Sequence, residues 1–239
     1  MRSFSDESID LVITSPPYNL RNSTSGNFKK GSNNGTNRKL NFVSNLVNGY
    51  DTYDDNLPHE VYVRWQRECL REMLRLIKPD GAIFYNHKWR VQSGLMQDRQ
   101  DIVNGFPVRQ IIIWRRAGGV NFNDGYFVPT YEVIYLICKP QFKLLPTMNR
   151  YGDVWTFTQE LNNKHPAPFP VNLVKRIISS TAAEIILDPF IGSGTTAVAA
   201  VQLKRKYIGI EISETYCKMA NERIEQVKNS FIYSTIVEV

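Results

Sequence analysis

Apolar and polar positions along the chain alternate between two periods. Ile9–Thr14 is an almost unbroken apolar run, which reads as a fully buried strand of the parallel kind. In Leu57–Ile77 the spacing changes to three and four. Val61, Trp65, Leu70, Leu74 and Ile77 then share one face, which predicts an amphipathic helix closed by the turn KPDG. GAIFYNH follows as a strand, Val91–Asn104 as a helix, and PVRQIIIWRR as a strand. AGGVNFNDGY is a glycine-rich loop and YEVIYLICK another strand. Asp153–Pro170 is irregular and proline-rich. Beyond it the pattern predicts a helix at Asn172–Ser180, a strand in AEIILDPF, a helix in GSGTTAVAAVQL, a strand in KYIGIEI and a helix in SETYCKMANERIEQV. The tail SFIYSTIVEV reads as an edge strand or as disordered. Strands that alternate with helices in this way predict a three-layer, doubly wound α/β fold around a mostly parallel sheet, with residues 1–239 in a single domain.

One stretch breaks the pattern. RNSTSGNFKKGSNNGTNRK has no apolar period and predicts a long mobile loop over residues 21–50. It carries Arg21, Lys29, Lys30, Arg38 and Lys39 and no acid. The whole chain holds 29 Lys and Arg against 23 Asp and Glu, a net charge of +6. So modest an excess says little by itself, but gathered in one loop it points to a polyanionic partner.

Composition narrows the class further. A hydrophobic content of 42% is enough for a substantial core. No apolar run reaches the roughly 18 residues of a membrane helix, so no membrane partner is expected. The start, MRSFSDESID, is too acidic and polar for a signal peptide. Cys69, Cys138 and Cys217 are odd in number, far apart and without metal-ligand spacing. They predict reduced thiols in a cytoplasmic protein with no metal site.

Two turns carry candidate chemistry. In EIILDPFIGSGTTAVAAVQL a strand runs through a glycine turn into a helix. Gly192 and Gly194 allow a sharp bend and a close approach of backbone to a ligand. The helix start, with Thr195 and Thr196, offers N–H groups to an acidic group. Ala197 stands where a dinucleotide fingerprint has its third glycine, and the absence of GK[ST] excludes a P-loop. Ordinary tight-turn glycines would look the same. The next strand adds weight, because KYIGIEIS ends in Glu211, about twenty residues after the turn. An acid at that place hydrogen-bonds the ribose diol of adenosine-type cofactors. The second turn is TSPPYN, where the first strand stops at two prolines. Alone it would be a proline-rich corner after a buried strand.

Taken together, these motifs resemble the amino-methylating DNA methyltransferases that use S-adenosylmethionine. DPFIGSGTT matches the family's cofactor loop, TSPPY its catalytic loop, and HPAPFP at His165–Pro170 with the helix VNLVKRII the segment that caps the cofactor's methionine end. The strand–loop–strand IIIWRRAGG…YEVIYLICK is also similar. The resemblance covers nearly the whole chain apart from the 21–50 loop and the tail. The catalytic loop comes first and the cofactor loop last, the permuted order of the family's beta group. Protein-glutamine methyltransferases carry a similar corner in the opposite order, so the order implies a nucleic-acid base.

The resemblance implies a Rossmann-like fold and residue roles. Ser15, Pro16, Pro17 and Tyr18 would form the catalytic corner. The exocyclic amino nitrogen of a base is a poor nucleophile because its lone pair is delocalised. Ser15 Oγ and the Pro16 carbonyl would accept its two N–H bonds, with the proline ring fixing the carbonyl direction. Tyr18 would offer a flat face to a base flipped out of the duplex. Asp188, Pro189, Phe190, Gly192, Gly194, Thr195, Thr196, Glu211 and Ile212, with His165, Pro166 and Phe169, would bind the cofactor. Arg21, Lys29, Lys30, Arg38 and Lys39, with Arg115 and Arg116, would meet DNA phosphates. No cysteine follows a proline, so carbon-5 cytosine chemistry is not implied.

ITSPPY and HPAPFP lean to cytosine N4, with adenine N6 as the alternative. The family usually carries some twenty residues ahead of the catalytic strand, including an acid that reaches the adenine. Here only MRSFSDE precedes Ser8, which implies a less complete adenine end and, as a further alternative, an inactive nucleic-acid-binding remnant. The implied partners are double-stranded DNA, a second copy in a homodimer and a cognate restriction endonuclease.

Overall fold

A computed structural model of the chain describes residues 1–19, 56–92, 94–116, 124–158 and 170–236. Strand β1 (Ile9–Thr14) sends Leu11 and Ile13 to one side of the sheet and Val12 to the other, and all three are fully buried. It is buried on both faces because parallel neighbours flank it and helices cover both sides.

Helix α1 (His59–Leu76) starts behind Pro58, whose fixed φ suits a helix entrance. Its buried face is Tyr62, Gln66, Cys69, Leu70, Met73 and Leu76. The apolar spacing placed that face about a residue away. Val61 is 42% exposed, and Trp65 and Leu74 pack only at its margin. The helix turns Tyr62 and Gln66 inward because their polar tips find partners: Tyr62 at Pro17 and His87, and Gln66 at Tyr85. Buried polar groups with partners are tolerated, and apolar periodicity does not register them.

Strand β2 (Ile77–His87) follows directly. The expected KPDG turn lies inside it as an excursion: Ile77 pairs with Ile9 and Ala82 with Leu11, so four residues stand opposite Asp10 alone. Asp10 fixes this end of the sheet. It pairs with Lys78 and accepts the backbone N–H groups of Glu184 and Ile185.

The helix expected at Val91–Asn104 is not formed. The segment makes a two-stranded hairpin, β3 (Arg90–Gln92) and β4 (Leu95–Gln97), and then a single turn, α2 (Gln100–Val103). Gly94 at φ 78° and Arg99 at φ 63° each take the left-handed conformation, which a continuous helix does not allow.

The remaining elements keep close to their predicted places. They are β5 (Val108–Arg115), β6 (Tyr131–Cys138), β7 (Val154–Thr156), α3 (Val171–Ser179), β8 (Ile185–Asp188), α4 (Thr195–Gln202), β9 (Lys206–Gly209) and α5 (Glu214–Ile236). α5 takes in most of the tail that read as an edge strand or disorder, a correction at this end of the chain. The strand β7 falls in the stretch expected to be irregular.

The main sheet has the order β7-β5-β6-β2-β1-β8-β9. Every pairing is parallel except the two that β6 makes, so β6 alone runs against the other strands of this sheet. α3 and α4 pack on one face with Leu11, Ile13, Ile134 and Ile186, and α1 and α2 on the other with Val12, Ile83, Val133 and Leu187. α5 lies over α4 through Ala197, Val198 and Ile224. This is the expected three-layer, mostly parallel α/β fold. No helix among the described residues is long and apolar enough to cross a membrane.

The chain leaves β1 toward β2 and later returns to β8 on β1's other side. The strand order therefore switches between β1 and β8, and the crevice outside their carboxyl ends is where open α/β sheets bind ligands. Leu70, fully buried between α1 and the sheet, tests the packing of the layer behind that crevice. Leu70→Ala is expected to lower stability by about 2–5 kcal/mol, read from the denaturant midpoint.

Candidate active site at the strand switch point

Both motif turns emerge at this crevice. β1 ends at Thr14 and opens into Ser-Pro-Pro-Tyr, and β8 ends at Asp188 and opens into the glycine turn. The two ends are tied together, since Thr14 Oγ1 donates to Asp188 Oδ1 at 2.8 Å. The same carboxylate accepts Phe190 N–H on Oδ1 at 3.1 Å and Thr196 Oγ1–H on Oδ2 at 2.7 Å. Asp188 is 3% exposed. Burial pushes its carboxyl up to about 6, against the pull of hydrogen bonds from Thr196, Thr14 and Phe190, and the nearby charge of Glu211 adds to the rise. Asp188 was expected to bind the cofactor. Its carboxylate accepts from three protein donors and acts as the fastener between the two turns.

The glycine turn uses positive φ at Gly192 (50°) and Gly194 (84°). A Cβ on Gly194 would lie 2.8 Å from Ala220 Cβ on α5, so conformation and space both demand glycine there. Pro189 is buried in the turn, while Phe190 is half-buried with its ring edge-on to Trp65 of α1, 5.7 Å between centroids. Thr195 and Thr196 are both buried. Arg223 of α5 clamps the turn from behind, donating to Ser193 O at 2.8 Å, Ser193 Oγ at 3.0 Å and Thr195 Oγ1 at 3.2 Å. No motif marks Arg223, because its role depends on where α5 docks.

Glu211 follows β9 and folds back over the turn. Its Oε2 accepts Gly192 N–H at 2.9 Å, and its Oε1 accepts Ile212 N–H at 2.9 Å and Ser213 N–H at 3.0 Å. Among the described residues Oε1 has both lone pairs engaged, and Oε2 keeps one in reserve. Beside it Ile212 is 66% exposed, an apolar side chain presented at the rim of the crevice.

The Ser-Pro-Pro-Tyr corner is held from several directions. Tyr62 Oη donates to Pro17 O at 2.8 Å and bonds His87 Nε2 at 2.7 Å. His87 is fully buried, and burial, with the charges of Arg99 and Arg90, holds it well below the usual imidazole range and so neutral. Asn19, at φ 56°, exchanges two 2.8 Å hydrogen bonds with the backbone of Leu57, and its carbonyl accepts Arg90 Nη2 at 2.9 Å. With Pro17 O engaged, the Pro16 carbonyl takes no hydrogen bond among the described residues. Ser15 is half-buried next to it. The corner thus leaves the Pro16 carbonyl and the neighbouring Ser15 hydroxyl as candidate acceptors for an amino group.

A polar network that sequence reasoning missed stands behind Ser15. Ser15 Oγ lies 2.6 Å from Tyr18 Oη, and Tyr18 Oη donates to Glu132 Oε2 at 3.1 Å. Asn86 Nδ2, at the end of β2, lies 2.6 Å from Tyr18 Oη, 2.9 Å from Glu132 Oε2 and 3.4 Å from Ser15 Oγ. Glu132 Oε1 pairs with Arg116 Nη1 at 3.5 Å.

Two predicted roles change as a result. Tyr18 was expected to show an open ring face, yet it is 4% exposed, with its ring centroid 5.0 Å from that of His87. Arg116 was expected on DNA, yet its side chain is 11% exposed and engages Glu132 and Pro129 O. Arg115, its neighbour, is exposed at the end of β5. Arg21, Lys29, Lys30, Arg38, Lys39, His165, Pro166 and Phe169 lie outside the described residues. Among the described residues no cluster of His, Cys, Asp and Glu could hold a metal ion, and the three cysteines are free thiols.

The profile of the DNA methylase family, which spans N6 and N4 methyltransferases, matches residues 9–222. The chain belongs to this family. The Ser-Pro-Pro-Tyr corner ahead of the glycine turn gives it the beta-group order. It is 28% identical to the type II methyltransferase M.BglII of Bacillus subtilis, over 90% of this chain and 63% of that protein. It is 29% identical to the type II methyltransferase M.HpaI of Haemophilus parainfluenzae, over 97% of this chain and 73% of that one. The chain therefore spans about two-thirds of the length of these relatives.

Solved structures share the fold. The PvuII DNA methyltransferase (cytosine-N4-specific) superposes with a TM-score of 0.70 at 20% identity, over 95% of this chain and 86% of that one. A putative DNA modification methylase from Thermus thermophilus, complexed with S-adenosyl-L-methionine, gives 0.64 at 24% identity, over 95% and 89%.

Two outcomes are expected from the fastened turns. Gly194→Ala should cost about 1–3 kcal/mol in thermal or denaturant unfolding, because a Cβ meets both positive φ and α5. Asp188 holds its proton more tightly folded than unfolded, so the folded state loses stability as pH rises between its ordinary value of 3.8 and about 6. The stability difference between wild type and Asp188→Asn should accordingly fall by up to about 3 kcal/mol across that window and stay flat above it, measured by denaturation at a series of pH values.

Proposed function

We propose that the protein is an S-adenosylmethionine-dependent DNA methyltransferase that methylates the exocyclic amino group of a flipped-out base, cytosine N4. One observation carries the proposal: the buried Thr14–Asp188 bond holds an amino-accepting corner directly against a glycine turn with a diol-accepting carboxylate. The residues fit the adenosine end of the cofactor. The spare Oε2 lone pair of Glu211 suits a ribose diol, and the exposed Ile212 suits the face of an adenine.

When bound, the cofactor supplies an electrophilic methyl group on a sulfonium. The chain's own residues orient and polarise the acceptor. Ser15 Oγ and the Pro16 carbonyl accept the two amino N–H bonds and direct the nitrogen lone pair along the line of attack. Anchoring by Tyr62 and Asn19 keeps both acceptors in place, so little reorganisation is needed at the moment of transfer.

A serine rather than an acid at the head of the corner supports cytosine, as does HPAPFP. The name of the PvuII enzyme, cytosine-N4-specific, agrees. The family and relatives named as type II methyltransferases support duplex DNA as substrate and a restriction–modification setting. Arg115 is the described candidate for a phosphate contact.

The test is methyl transfer from labelled S-adenosylmethionine to mixed genomic DNA, with the product nucleosides resolved by mass. 4-Methylcytosine is expected, and 6-methyladenine would keep the mechanism and reverse the base. Ser15→Ala should reduce turnover by two orders of magnitude or so while cofactor affinity by calorimetry stays within a few-fold. Normal turnover in that variant would remove Ser15 from the chemistry.

A further inference from the structure

We infer that Glu132 is a positioning residue that sets the direction of the hydrogen-bond chain behind Ser15, so that Ser15 meets the base as an acceptor and the site selects an amino-bearing over a keto-bearing base. The inference rests on the methyltransferase reading and deepens it. A hydroxyl can present either a proton or a lone pair, and a serine facing a base has no intrinsic preference. The choice is made behind it.

The carboxylate supplies the preference. Glu132 is 6% exposed and pairs with Arg116 through Oε1, so its Oε2 can only accept. Two donors converge there, Tyr18 Oη at 3.1 Å and Asn86 Nδ2 at 2.9 Å. With the phenol proton on Glu132, Tyr18 Oη is an acceptor toward Asn86 Nδ2 at 2.6 Å and toward Ser15 at 2.6 Å. The Ser15 proton then points back to Tyr18, and with the two Asn86 amide protons on Tyr18 and Glu132 rather than on the more distant Ser15, the lone pairs of Ser15 Oγ remain for the substrate. An amino group on C4 of a pyrimidine or C6 of a purine donates to them. A carbonyl at the same place would set two oxygens against each other without a proton between them, which is costly in a buried site. Such a chain discriminates cytosine and adenine from thymine and guanine before any methyl moves. The buried setting of Asn86 and Tyr18 also explains why Tyr18 is a tyrosine here: its hydroxyl links carboxylate to serine, while its ring packs on His87.

Glu132→Gln keeps the shape and reverses the logic, because an amide can donate to Tyr18, turn the phenol proton toward Ser15 and push the serine proton out at the base. The experiment uses the full chain, labelled S-adenosylmethionine and duplex DNA. Glu132→Gln is expected to lose turnover on the order of a hundredfold, with cofactor affinity and melting temperature near wild type. Glu132→Asp, which can still only accept, should recover part of the loss. In a Tyr18→Phe background, where the link is already cut, Glu132→Gln should add nothing further. Duplex with uracil in place of cytosine should inhibit Glu132→Gln more strongly than wild type.

Full turnover in Glu132→Gln, additive losses in the double variant, or unchanged discrimination against the uracil duplex would each overturn the assignment. Where Glu132→Gln melts early, Glu132→Asp and Tyr18→Phe carry the same comparison. A wild-type protein that transfers no methyl group would remove the functional reading and this inference with it, whereas an active wild type with an indifferent Glu132→Gln removes the inference alone.

Discussion

The hydrogen bond from Thr14 Oγ1 to Asp188 Oδ1 joins the ends of two neighbouring parallel strands, and the arrangement of the crevice follows from it. Each strand opens into a turn that cannot be regular, one because of two prolines and the other because of two glycines at positive φ. Left to themselves such turns would sample several positions. The buried carboxylate fixes them by accepting from Thr14, Thr196 and Phe190 together, so that β1, β8 and the start of α4 share one anchor. Burial makes the anchor costly, as the raised proton affinity of Asp188 records. Three donors work against that cost without removing it, at the one place where two loops must keep register.

The same principle recurs on a smaller scale throughout the site. Tyr62 and neutral His87 hold Pro17, Arg223 holds Ser193 and Thr195, and Glu211 gathers three backbone N–H groups. In each case a polar side chain satisfies backbone or hydroxyl groups that a turn leaves unpaired. Groups that would otherwise be liabilities become positioning devices, and the few polar atoms left for a ligand are placed by elimination. The Pro16 carbonyl, the Ser15 hydroxyl and one lone pair of Glu211 are such atoms.

Much of the fold is legible in the sequence because burial and backbone period are local properties. β1, β5, β6, β8 and β9 follow from apolar runs bounded by turn residues, and α1 from spacing of three and four. The failures have physical causes. The segment after β2 breaks into a hairpin because Gly94 and Arg99 take left-handed conformations, and a helix-like composition does not forbid them. The buried face of α1 is rotated because Tyr62 and Gln66 point polar tips at partners on other elements.

The site divides along the same line. Local chemistry marks Ser15, Pro16, Gly192, Gly194 and Glu211, since prolines, glycines and a strand-end acid leave signatures within a few residues. Sequence alone settles the order of the two turns, their backbone demands and the family to which those motifs belong. Tertiary structure decides the rest. It makes Asp188 a fastener, turns Tyr18 inward, withdraws Arg116 from solvent into an ion pair with Glu132, and brings Arg223 behind the glycine turn. All of these depend on contacts between different elements of the fold or on the burial they create. Hydrogen-bond partners and desolvation are properties of packed neighbours, and no local pattern of residues specifies which neighbours will meet.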